Sequence, residues 1–424
     1  MIVVASLLLL TPLLSASPDE VPWPPAPADT TRAYFETQCA SCHGPRGQGD
    51  GPMANLLQPP PRDFGSARFH IVSAENRLPT DQDLLDTIRL GVAGTAMPAW
   101  SHLPQDLQAD LVRLVRTFML EAAAQRREPG ETPEQARARV ATELAPSAPP
   151  NLGAAPPMTP EFLERGRVLY AESCVECHDV DGRGLRGRDL TDARGEPSPS
   201  RDFTRGLLRG GTDPLQLARR IRLGLPGTAM PAFELPEDDV WALAHHVSNL
   251  VPPGAQQRLL PTRREVAALR VRGELAELPT DWASVPQSFL PLLPYRWDEP
   301  LAEGLDVQAI HDGARLAIRA RWTPARPDQD VHWRLSVSLT PGAEPALFEQ
   351  RASVDEHIVW DWPRVSTQDP VVSDGGTTDG GWQVVFLGQL DPALIAAGEM
   401  RLQLRLRAAG TRAFTVWNTL QLGP

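Results

Sequence analysis

The pentapeptide Cys39-Ala-Ser-Cys42-His43 recurs as Cys174-Val-Glu-Cys177-His178, and the two copies use all 4 cysteines of the chain. Two thiols three positions apart, with a histidine directly after the second, form the attachment pattern of a c-type haem. At that spacing both sulfurs reach the two vinyl groups of one porphyrin, and the histidine lies under the ring as an iron ligand. A zinc clip, a redox dithiol and a disulfide are the competing readings. Zinc needs two further ligands at suitable spacing, and a thioredoxin-like motif opens a helix after a strand and needs no histidine. Neither context is visible, so two covalently bound haem c groups are expected.

The repetition extends past the cysteines. Ile88-Arg-Leu-Gly-Val-Ala-Gly-Thr-Ala-Met97-Pro-Ala-Trp100 returns as Ile221-Arg-Leu-Gly-Leu-Pro-Gly-Thr-Ala-Met230-Pro-Ala-Phe233. From Ile88 to Ile221 the offset is 133, and from Cys39 to Cys174 it is 135, so two duplicated units differ by two loop residues. A helix should run from Thr30 into Cys39, and a second from Pro160 to Ser173, with Gly166 inside it as a close packing contact. Each unit closes on an amphipathic helix, carrying Leu107, Leu111, Leu114, Val115 and Phe118 in the first and Val240, Leu243, Ala244, Val247 and Leu250 in the second. These closing helices should pack on the helices that precede the Cys motifs. Thr31 stands where the second unit has Gly166, which predicts a looser crossing in the first.

Each unit resembles a class I cytochrome c domain. That resemblance implies a small helical fold around one haem, with a late methionine as the sixth iron ligand, and Met97 and Met230 match its position. Iron ligands are therefore expected at His43, Met97, His178 and Met230. Thioether sulfur favours ferrous iron and raises the reduction potential relative to a bis-histidine pair. Met53 ranks below Met97, since it lies only ten residues from His43 and the second unit has no equivalent. His245 and His246 read as solvated surface histidines on the helical wheel, and His70 and His102 lie in polar loops without an assigned role.

Between the units, residues 121–159 read as a linker: Pro133 to Leu144 as an exposed helix, then a proline-rich spacer that leaves two separately moving bodies. At the N-terminus, Met1 to Leu14 is apolar but too short for a bilayer and is followed by Ser15-Ala16-Ser17. A signal peptide over 1–17 is expected, with export to the periplasm and a proline-rich lead over 18–29. No later run approaches the roughly 18 apolar residues of a transmembrane span. The formal charge of −12 argues against nucleic acid and suits docking to a basic patch on a protein partner.

After residue 252 the pattern changes. Val331, Trp333, Leu335, Val337 and Leu339 alternate with polar residues, as do Met400, Leu402, Leu404 and Leu406, the period of half-buried strands. With Leu305 to Ile310, Arg315 to Trp322, Ile358 to Trp362, Trp382 to Leu387 and Ala413 to Leu422, about seven strands and a β-sandwich over 280–424 follow. A tight turn is expected at His311-Asp312-Gly313, and 253–279 is left as a connector. Tryptophans in strands are core formers.

The stretch from Leu305 to Gly313, then Trp322, Trp360-Asp361-Trp362 and Trp417-Asn418, resembles the haem-binding sandwich of electron-transfer subunits of ethylbenzene dehydrogenase and other molybdenum enzymes of the dimethyl sulfoxide reductase class. It implies a molybdopterin oxidoreductase as partner. It also implies a b-type haem on a methionine and a lysine. Here the matching stretch reads Leu347-Phe348-Glu349-Gln350, and every one of the 41 basic residues is arginine. A third haem is therefore not expected; His311, His332 and His357 are the conceivable substitutes, with His357 the best placed.

The expected architecture is multidomain: all-α cytochrome c domains over 30–120 and 160–252, then an all-β sandwich. The expected function is one-electron transfer by an exported dihaem c-type cytochrome, with no bond-making catalysis. A dihaem enzyme such as a peroxidase, or a redox-sensing module, is the alternative.

Overall fold

In the computed structural model, the structure describes residues 24–184, 190–297, 301–325, 333–341, 347, 358–362, 371–372, 376–378, 381–390, 392–408 and 411–423. The expected signal peptide, His332 and His357 lie outside the described residues. Among the described residues no helix is long and apolar enough to cross a membrane.

The first helical unit contains α1 (Asp29–Gln38), the single turn α2 (Ala40–His43), α3 (Asp81–Leu90) and α4 (Gln105–Ala124). Thr80 caps α3 in a reciprocal box with Asp83, which satisfies backbone donors that a helix start otherwise leaves open. The apolar face of α4 packs on α1: the Phe35 and Phe118 rings lie 5.3 Å apart, within a core that adds Phe64, Leu84, Leu111, Leu114 and Val115. Thr31 is buried at this crossing and donates to Asp110 Oδ2 at 3.1 Å.

A linking helix, α5 (Pro133–Glu143), precedes the second unit, which repeats the first as α6 (Pro160–Ser173), α7 (Val175–His178), α8 (Pro214–Leu223) and α9 (Glu237–Leu250). At the crossing of α6 and α9 a Cβ on Gly166 would overlap the Ala242 carbonyl. Glycine is needed there for contact between two backbones, as the sequence implied.

The segment between the units is not a free spacer. Ala136, Val140 and Ala141 are buried, and Asn76 Nδ2 donates to Ala145 O at 2.8 Å while Glu75 N donates to Ala148 O at 3.1 Å. Further on, Leu152 enters the core of the second unit, and its carbonyl accepts from Trp241 Nε1 at 2.6 Å. This path also corrects the reading of His245, which is 5 % exposed. Its Nε2 lies 3.0 Å from Pro156 O, because the linker covers the helix face that the wheel assigned to solvent.

A short helix, α10 (Ala255–Leu259), leads into a sheet domain. Its strands are β1 (Glu265–Arg270), β2 (Ser288–Pro291), β3 (Leu293–Pro294), β4 (Gly304–His311), β5 (Arg315–Trp322), β6 (Trp333–Pro341) and β7 (Ile358–Trp362), then β8 (Val371–Val372), β9 (Gly376–Thr378), β10 (Gly381–Gln389), β11 (Glu399–Ala408), β12 (Thr411–Phe414) and β13 (Asn418–Leu422), with α11 (Pro392–Ala397) before β11. The hydrogen-bonded order is β3-β12-β11-β13-β1-β4-β5-β10-β8, with β6 joining β11 to β7. Side chains of β4, β5 and β10 share one apolar core with those of β6 and β11, so the continuous sheet folds into two layers.

Three details differ from the sequence reading. β1 falls in the expected connector, yet it is central and parallel to both neighbours, with Glu265 opposite Thr419 and Ala268 opposite Ala309. The segment 413–422 is broken at Thr415, whose hydroxyl accepts from Leu404 N at 3.1 Å, so β12 and β13 pair separately with β11. His311 ends β4 instead of sitting in the turn; it is buried, with Nε2 2.9 Å from Gly423 O. The turn itself is held by Asp312 Oδ1, which accepts from Ala314 N and Arg315 N.

Candidate functional site

Each Cys-x-x-Cys-His folds as one tight helical turn after a longer helix. His43 N donates to Cys39 O at 3.0 Å, and His178 N to Cys174 O at 2.9 Å, which places both sulfurs and the imidazole of a set on one side of the turn. All four thiols are unbridged. Burial pushes the Cys39 thiol up to about 12 and Cys42 and Cys174 up to about 11. Among the described residues no three His, Cys, Asp or Glu side chains gather as a metal cluster, so the zinc reading finds no further ligands.

The histidines are oriented by what lies behind them. His43 Nδ1 is 3.2 Å from Arg62 O, and its ring stacks on Phe64 at 4.7 Å. His178 stacks on Phe203 at 4.5 Å, and the Arg201 carbonyl is the backbone acceptor that raises its basicity, although the contact is looser than a full hydrogen bond. Desolvation nevertheless dominates and brings both imidazoles down to about 4. They are neutral at physiological pH, the form that ligates metal, and in His43 the Arg62 carbonyl engages Nδ1 and leaves Nε2 for the ligand. The tripeptide Arg-Asp-Phe at 62–64 and again at 201–203 supplies these groups. It is a repeat that the sequence reading did not use.

The methionine loops are also superimposable in their bonding. Met97 O accepts from Val92 N at 3.1 Å and Met230 O from Leu225 N at 3.2 Å; Trp100 N donates to Ile88 O and Phe233 N to Ile221 O. Thr95 and Thr228 each hold the following methionine N–H at 3.2 Å. Gly91 and Gly224 have φ of 65° and 69°, and a Cβ on either would run into the loop backbone beside the methionine, so each loop requires the left-handed residue that glycine provides.

In the first unit these parts surround one cavity. Cys39, Cys42, His43 and Met97 line it with Leu57, Phe64, Phe69, Ile88 and Trp100, the concave, mostly apolar lining of a cofactor cleft. A pair of thiols, a neutral imidazole and a thioether around an apolar cavity fit a c-type haem. Met53 does not line this cavity. It is buried with Leu57, Leu293, Phe414 and Trp417 where the sheet domain meets the first unit. The second unit brings Cys174 and Met230 to one apolar cluster.

The two units meet directly. His70 Nδ1 lies 2.6 Å from Pro226 O, in the methionine loop of the second unit. Burial first, and then the charge of Arg62, brings His70 down from 6.5 to about 4. The charged groups facing it are Arg62, Arg209 and Asp192. Between about pH 6.5 and 4 the unfolded chain therefore takes up a proton that the folded chain refuses, and stability present above this window falls as pH drops through it. Thermal melts over this range should show that loss, and His70→Gln should flatten the slope; an unchanged slope contradicts it.

Residues 163–251 match the family model of cytochrome c, and residues 26–119 match that of subunit III of cbb3-type cytochrome c oxidase. A chain from the reducing HAO-like protein complex of Kuenenia stuttgartiensis is 30% identical over 55% of this chain and 100% of its own, with a TM-score of 0.45. A family 9 carbohydrate-binding module from Caldicellulosiruptor kristjanssonii, solved with cellotriose, aligns at 11% identity over 38% of this chain and 93% of its own, with a TM-score of 0.25. None of the curated proteins matches the chain.

Proposed function

Because the chain carries two cytochrome c-type domains, a type that implies covalent haem c and electron transfer, we propose that it is an exported dihaem carrier with Cys39 and Cys42 anchoring one haem and Cys174 and Cys177 the other. His43 and Met97 would ligate the iron in the first domain, and His178 and Met230 in the second. The observation that carries this reading is the bond-for-bond repetition of both ligand loops. Haem supplies a ferric/ferrous couple that moves one electron without bond making. The protein's part is to hold each imidazole neutral and aimed, to offer a thioether as a second ligand, and to keep water out of the first cavity with Phe64, Phe69 and Trp100. A dihaem peroxidase would need one open axial position, whereas here the two loops are alike.

Met97→Ala and Met230→Ala test this assignment. Each should remove about half of the long-wavelength sulfur band of the ferric protein and lower the midpoint potential of one haem. High-spin haem with peroxide turnover in the unaltered protein would contradict it. The partner is proposed to be a periplasmic molybdopterin oxidoreductase, on the resemblance over 280–424, and co-purification of such a subunit from native membranes or periplasm tests that part.

A further inference from the structure

The cavity of the first domain has one wall that belongs to the second. Arg209, which follows the Arg201-Asp202-Phe203 repeat, lines it beside Arg62 and His70, in the same space as Cys39, Cys42, His43 and Met97. Counted from the two Arg-Asp-Phe repeats, Arg209 is the counterpart of His70. Each of the two reaches into the other domain: His70 to Pro226 O, Arg209 to the first cavity.

The wall is positively charged and under-neutralised. Burial is the larger cause that brings both Arg62 and Arg209 down to about 10; the charge of Arg194 adds to it at Arg62, and the charge of Arg62 adds to it at Arg209. Arg209 Nε is buried without a hydrogen-bond partner among the described residues. The carboxylate whose charge acts on both, Asp192, is already engaged by Arg194 Nη2 at 3.2 Å and by the Arg194 and Glu196 backbone N–H groups. His70 is held neutral. Two guanidinium groups crowded at the rim of an apolar cavity call for an anion, since a buried charge without a counter-charge is costly.

We propose that Arg62 and Arg209, one from each domain, clamp the carboxylate-bearing edge of the haem in the first domain, so that the second domain holds part of the first domain's cofactor site. This rests on the haem reading above. Guanidinium groups suit the role because they present paired donors in the plane of a carboxylate. The clamp would tie the domain seam to haem retention. It also places positive charge beside the first iron, which favours its ferrous state.

Spectroscopic redox titration of the full haem-loaded chain tests the clamp, with covalent haem content read by mass on the same samples. In Arg209→Gln, one of the two one-electron components should fall so that its ferrous-to-ferric ratio at fixed potential drops about tenfold, or about 59 mV. Arg62→Gln should move the same component in the same direction, and Arg209→Lys should restore most of the shift. Arg258→Gln, which alters an exposed pair with Glu303 outside the cavity, should move neither. The shift should be the same in phosphate and in phosphate-free buffer. Loaded variants with both midpoints unmoved, or a shift that disappears without phosphate and so reports a free anion, would overturn the clamp alone. A chain without covalent haem would overturn the haem reading and the clamp with it.

Discussion

Imidazole added to the ferric protein should displace Met230 at a concentration roughly tenfold lower than Met97, a gap of about 1.4 kcal/mol. The two loops share Gly-Thr-Ala-Met-Pro-Ala and the same internal hydrogen bonds, so their intrinsic chemistry is alike. Their surroundings are not. In the first domain Ala96, Pro98, Ala99 and Trp100 are all buried, whereas in the second Ala229 and Pro231 are exposed and Phe233 is half-buried. The difference is the sheet domain: Leu293, Leu347, Phe414, Val416 and Trp417 form one apolar cluster with Ala96 and Trp100, and Ala99 N donates to Pro261 O at 3.1 Å. Swinging Met97 aside must break this cover, while the Met230 loop opens into solvent, and local opening is easiest where few buried contacts are lost. The sulfur band should therefore vanish in two steps, and Met230→Ala should retain only the later one. A single step, or loss of Met97 first, would contradict the account.

The second large effect is expected at Gly166. Alanine is the better helix former by about 1 kcal/mol, yet Gly166→Ala should destabilise the second domain by about 2 kcal/mol, because an added methyl in a closed crossing forces packed elements apart. The obstacle is the backbone carbonyl of Ala242 and the Cβ of His246, which no rotamer change can move. Thr31, at the matching place in the first domain, tolerates a side chain there by bonding to Asp110. Denaturant or thermal unfolding of Gly166→Ala would refute this if stability rose.

What the sequence disclosed best was local and repeated. The two Cys-x-x-Cys-His turns, the methionine loops and the closing helices could be read because each is a short pattern that occurs twice. The Arg-Asp-Phe repeat escaped notice because its contribution to the imidazole is a backbone carbonyl, which no side-chain pattern advertises. His245 was misplaced because a helical wheel knows one buried face, and the linker that covers the other comes from 89 positions away. β1 was hidden by its composition: only Val266 and Ala268 are buried, and alanine has little strand preference. The seam that brings Arg209 to the first cavity depends on how two domains dock. Neither domain's own periodicity carries that information.

The central claim is that both Cys-x-x-Cys-His turns hold haem covalently. Intact-mass measurement of the denatured chain after expression with haem-attachment machinery tests it most directly. The account predicts the mass of the chain plus two haems, falling to one haem in Cys39→Ala/Cys42→Ala and likewise in Cys174→Ala/Cys177→Ala. A chain with no haem, or one whose haem is extracted by acidified acetone, would contradict it.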